Sequence, residues 1–117
     1  TQGDIKKLTK EEKNLAKDAK NYMDRMYSRD IRIQDVAGIL HVHPNYLSTL
    51  FRREYDQSPR EYLRKVRMNQ AKLLLATTEY SISDISSDVG YTNPFQFSKV
   101  FKSCYGISPT EYRNMRQ

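Results

Sequence analysis

The chain has 117 residues, enough for one domain or for two small lobes that share an element. Twenty Lys and Arg against fourteen Asp and Glu give +6, which suits a polyanionic partner, and one cysteine excludes an internal disulfide and fits a reducing cytoplasm. No apolar run approaches a membrane span, so no membrane partner is expected, and no signal-peptide core follows the N-terminus.

Residues 1–8 are polar and read as a flexible tail or linker. With no initiator Met ahead of them, they suit a piece of something longer or a processed form. Thr9 with Glu12 forms a capping box. Leu15, Ala19, Tyr22, Met23 and Met26 follow at helical spacing, predicting a first helix to about Tyr27, with Lys13, Lys17 and Lys20 on a solvated face. Ile33, Val36, Ala37 and Leu40 make a short second helix, and His41-Val42-His43 a tight turn. Pro44 suits the first position of a third helix, whose inward face carries Leu47, Leu50, Phe51 and Tyr55. Asp56-Gln57 closes it. Ser58-Pro59-Arg60-Glu61 starts a long fourth helix that ends near Thr77.

The chain then repeats itself. Ser81-Ile82-Ser83-Asp84 caps a fifth helix, in which Ile82, Ile85 and Val89 match Ile33, Val36 and Leu40 at an offset of 49. After the turn the offset is 50, so the second turn is one residue longer. Asn93-Pro94 starts a sixth helix with Phe97, Val100 and Phe101 inward. Gly106 suits a left-handed cap, and Ser108-Pro109-Thr110-Glu111 starts a last helix. The chain reads as all-α, with about seven helices and no convincing strand. The expected division is a tail at 1–8, a first lobe at 9–57, a linking helix at 58–77 and a second lobe at 78–117.

Each repeat is a short helix, a tight turn and a Pro-started helix, the helix-turn-helix grammar. Ala37 and Ser86 are small where the following helix must approach closely. The outward residues of the two Pro-started helices suit a major groove. Asn45 and Gln96 can pair with adenine, and Ser48 and Thr49 with several bases. Lys99 suits guanine O6/N7 or a phosphate, and Phe95 thymine methyls. His43, Arg52, Arg53 and Lys102 suit phosphates.

Ile82-Ser83-Asp84-Ile85, Val89-Gly90-Tyr91, Phe97 to Lys102 and Tyr105 to Arg113 resemble the signature region of the C-terminal DNA-binding domain of the AraC/XylS family of bacterial transcription regulators. Leu47 to Arg52, Ser58 to Leu63, Arg67-Met68, Ala71 and Leu74-Leu75 extend the resemblance over roughly residues 15–116. It implies two helix-turn-helix lobes joined by one long helix, with recognition helices from Pro44 and Pro94 entering successive major grooves about 34 Å apart. It also implies a cytoplasmic regulator, an activator that contacts RNA polymerase, and an N-terminal effector-binding or dimerisation domain not present in this chain. His41 departs from the family's usual Gly in the first turn, and Asp56 stands where the second repeat has Gly106.

Two histidines in one turn with no Cys or acidic partner make a poor metal site. His43 instead suits a helix cap. Cys104 suits core packing, and Tyr55, Tyr62, Tyr105 and Tyr112 recur at the structural offset and read as core or interface. No catalytic constellation, cofactor loop or metal set is predicted. The rival reading is a helical protein-interaction module whose basic charge is incidental.

Overall fold

The computed structural model describes residues 7–116, so most of the polar tail expected at 1–8 lies outside the described residues. Among these, seven helices and no strand occur: α1 (Lys10–Met26), α2 (Ile33–Ile39), α3 (Pro44–Tyr55), α4 (Pro59–Thr77), α5 (Ile82–Asp88), α6 (Pro94–Tyr105) and α7 (Pro109–Asn114). The start signals act as local chemistry requires. Thr9 and Glu12 cap each other's backbone N–H groups at 3.1 and 2.8 Å. Ser58 and Glu61 repeat the box before α4, and Ser108 and Glu111 before α7. Each box satisfies donors that the first turn of a helix leaves unpaired.

By contact the chain divides into two units, one of residues up to 25 with 32–62, the other of residues 26–31 with 63 onward. In the first unit Ala16, Ala19, Met23, Val36, Ala37, Leu47, Leu50 and Phe51 are buried. The Phe51 ring lies 4.8 Å from Tyr55 and 5.7 Å from Tyr62. The Tyr62 hydroxyl bonds to the Asp24 carboxylate, and burial, with that bond, pushes its pKa up. Lys20, expected on a solvated face, is half-buried instead. Its ammonium stands 3.4 Å from Asp24 and 5.5 Å from the centre of the Tyr62 ring, because its long stem covers apolar surface.

In the second unit Met68, Ala71, Leu75, Ile85, Val89, Phe97 and Phe101 form one core. Phe101 meets Tyr105 at 4.7 Å and Tyr112 at 5.6 Å, the same trio fifty residues on. Arg67 is the long-range tie of this unit. It donates to the carbonyls of Tyr27 (2.9 Å) and Arg29 (2.8 Å) and lies 5.5 Å from the Tyr91 ring. Arg113 and Arg116 reach from the chain's end to the carbonyls of Leu75 and Thr78, capping the C-terminus of α4.

Cys104 departs from expectation. It is exposed rather than packed in the core. In the last turn of α6 burial passes to Tyr105, whose ring meets Phe101 edge-on at 4.7 Å, and the thiol is left outside. Glu54, its counterpart in the repeat, is exposed beside Tyr55 in the same way.

Candidate nucleic-acid interface

The two helix-turn-helix corners are built alike. In the first, the Val42 N–H donates to the Ala37 carbonyl at 3.0 Å and the His41 N–H to Gly38 at 3.1 Å. In the second, Tyr91 donates to Ser86 at 2.9 Å and Gly90 to Ser87 at 3.1 Å. Both are Schellman caps, which need a left-handed residue after the helix. That residue is His41 at φ 60° in one corner and Gly90 at φ 100° in the other. Ala37 and Ser86, whose carbonyls receive the long bond, are fully buried. Their size is what admits the next helix.

After each corner a side-chain cap and a proline launch the second helix. His43 Nδ1 accepts from the Asn45 N–H at 3.1 Å, as expected of a cap. With Nδ1 accepting, the neutral ring carries its proton on Nε2, which remains a donor. Asn93 Oδ1 accepts from Phe95 (2.8 Å) and Gln96 (3.3 Å). Asp56 at φ 60° closes α3 and Gly106 at φ 83° closes α6, each N–H bonding to the carbonyl four residues back.

The exposed faces follow from the helical period of about 100° per residue. Leu47, Leu50 and Phe51 turn inward on α3, so Asn45, Thr49 and Arg52 line the crest opposite. All three are exposed. The Thr49 hydroxyl donates to the Asn45 carbonyl at 3.0 Å, which leaves its methyl as the outward group. Tyr46 and Arg53 occupy one flank, where the Tyr46 hydroxyl lies 3.4 Å from a Glu12 oxygen. Glu12 is held below the ordinary carboxylate range, first by the Thr9 backbone N–H and least by the Arg53 charge. Ser48 falls on the other flank, is half-buried, and lines a shallow cleft with Ile33, Gln34, Pro44, Ser58 and Arg60. Gln34 and Arg60 were not singled out by the sequence, because the cleft exists only where α2, α3 and the start of α4 meet.

On α6 the crest is Phe95, Lys99 and Lys102, with Phe95 86% exposed. Gln96 is exposed on the flank that corresponds to Tyr46, not on the crest with Asn45. Arg52 stands 3.8 Å from Glu61, and both are largely exposed. A pair of that kind contributes little stability and does not hold the guanidinium back from a stronger anion. The α3 and α6 crests thus each present polar or apolar tips in the first turns and a cation in the last.

A helix-turn-helix domain model matches residues 36–115. The chain is 38% identical over 109 residues to the raffinose operon transcriptional regulatory protein of Pediococcus pentosaceus, covering 93% of this chain and 38% of that protein. It is 40% identical over 96 residues to the lactose operon transcription activator of Staphylococcus xylosus, covering 82% and 34% respectively. The chain therefore spans about a third of the length of these curated relatives. Among solved structures, the C-terminal domain of AraT, a response regulator from Geobacillus stearothermophilus, matches with a TM-score of 0.85 at 36% identity. The match covers 88% of this chain and 86% of that one.

Proposed function

The chain belongs to the AraC-type family of helix-turn-helix transcription regulators, and from that premise we propose that it reads duplex DNA by placing α3 and α6 in successive major grooves. The observation that carries this reading is the pair of matching Schellman-capped corners, each followed by a helix with an exposed polar or basic crest. Asn45 suits adenine, and the outward methyl of Thr49 suits thymine. On α6, Phe95 packs on thymine methyls, Lys99 reaches guanine O6 and N7, and Gln96 reads adenine from the flank. His43 through Nε2, together with Arg52, Arg53 and Lys102, grips phosphates and sets the register of the crests.

The Staphylococcus xylosus relative is an activator, and an activating role is proposed here on that likeness. Contact with RNA polymerase, a partnering effector-binding or dimerisation domain, action in the bacterial cytoplasm and the lack of any catalytic role complete the proposal. No described helix is long and apolar enough to cross a membrane.

Selection from a randomised duplex pool tests the reading. Two enriched elements about one helical turn apart are expected. Retention that is neither sequence-selective nor salt-dependent would instead favour the protein-interaction module and sink the proposal.

A further inference from the structure

The cleft beside α3 is a meeting of polar side chains from three elements: Gln34 of α2, Ser48 of α3, and Ser58 with Arg60 at the start of α4. Arg60 is exposed, and among the described residues its guanidinium has neither an ion pair nor a hydrogen bond. The Ser48 hydroxyl and the Gln34 amide are likewise unengaged there. The Ser58 oxygen accepts from the Glu61 N–H at 3.1 Å, and its own proton remains to be donated. The cleft therefore gathers donors around one unpaired positive charge.

Where the cleft lies decides what those donors meet. A major groove is about 12 Å wide, and a helix with its side chains is about 10–12 Å across. A helix seated in the groove fills it, so the crest of its first turns faces base edges, its last turn passes out toward the backbone, and the flank of α3 that adjoins α2 and the start of α4 faces a sugar–phosphate wall. Ser48 is on the flank of α3, roughly 60° from Asn45 by the helical period. We infer that Gln34, Ser48, Ser58 and Arg60 form a phosphate-binding notch of the first unit, in which Arg60 supplies the charge and Ser48 is a backbone contact rather than a base reader. This rests on the DNA-binding reading and adds a contact to it.

The repeat shows the notch to be particular to the first unit. The positions matching Gln34, Ser48, Ser58 and Arg60 in the second are Ser83, Ser98, Ser108 and Thr110. Hydroxyls remain but the cation is absent. The first unit, whose crest carries small neutral readers, thus has an additional ionic grip that the second lacks.

The test uses Arg60→Gln, Arg60→Lys and Ser48→Ala in the full chain. Each is first checked for unchanged thermal unfolding, then titrated from low to moderate salt against a duplex selected by the wild type and a scrambled duplex. Removing one phosphate contact flattens the slope of log K against log salt by about 0.9. Arg60→Gln is expected to do so equally on both duplexes, with base preference unchanged, and Arg60→Lys to keep the wild-type slope. Ser48→Ala is expected to weaken both duplexes by a similar factor. A wild-type slope for Arg60→Gln, or altered preference at a base pair in Arg60→Gln or Ser48→Ala, overturns the notch while leaving DNA binding intact. A wild-type chain without salt-dependent binding overturns both.

Discussion

His41 and Asp56 both hold left-handed backbone at φ 60°, a region that disfavours a Cβ, while the matching residues of the second unit are Gly90 and Gly106. Asp56→Gly is therefore expected to stabilise the chain, by up to about 1 kcal/mol once the entropy of the added glycine is counted. Gly106→Asp should cost a similar amount, because a Cβ there meets nothing within 4 Å and only the backbone objects. Gly90 is a different case. A Cβ on it would stand 2.4 Å from the Tyr27 carbonyl oxygen and 2.8 Å from Arg67 Nε. Gly90→Ala must displace backbone and disturb the Arg67 bonds together, so its expected cost exceeds about 2 kcal/mol. Urea midpoints of the three variants at unchanged slope check all of these. The two glycines thus differ: a side chain at Gly106 meets only the backbone's preference, whereas one at Gly90 also meets Tyr27 and Arg67.

The helices owe their ends to short motifs, and that is why they are legible in the sequence. Ser58-Pro59-Arg60-Glu61 and Ser108-Pro109-Thr110-Glu111 state the cap, the first helical position and the reciprocal acceptor in four letters. The crest residues were legible for the same reason, since a helical period and an inward apolar set dictate the outward one. Contacts between distant stretches carry no such local signature. Arg67 reaching Tyr27 and Arg29, Arg113 and Arg116 capping α4, and the cleft at Gln34 and Arg60 all depend on how elements meet. Cys104 shows the converse limit, for its helical phase says inward while the end of the helix leaves it exposed.

The caps also give the helices a pH dependence. The backbone N–H of Thr9, foremost, holds Glu12 below its ordinary value of 4.5, and that of Ser108 does the same for Glu111. A lowered folded-state pKa means stabilisation present above 4.5 and lost as pH falls through the folded value. α1 and α7 should loosen first on acidification. Glu12→Gln with Glu111→Gln keeps acceptors in both boxes but removes their titration. Circular dichroism against pH should show a smaller acid-induced loss of helicity in that double variant, and an unchanged loss would refute the assignment.

At the scale of the whole molecule, the proposed reading by two heads on one chain predicts that binding depends on the phase of the DNA as well as its letters. Moving one selected half-site by about five base pairs turns it to the far side of the duplex, given 10–10.5 base pairs per turn. With about 1–3 kcal/mol at each specified base pair, affinity is then expected to fall by more than about tenfold. Restoring a full turn need not restore binding, because the reach between heads is finite; a phase-independent affinity would mean that one head does the reading. The likeness of the two heads has a further use. α3 and α6 are each twelve residues long, begin with proline after a side-chain cap and end at a left-handed residue. If both heads read bases as proposed, grafting the crest of one onto the other should yield chains that ask for the same word twice, and so make the vocabulary of each head separately programmable.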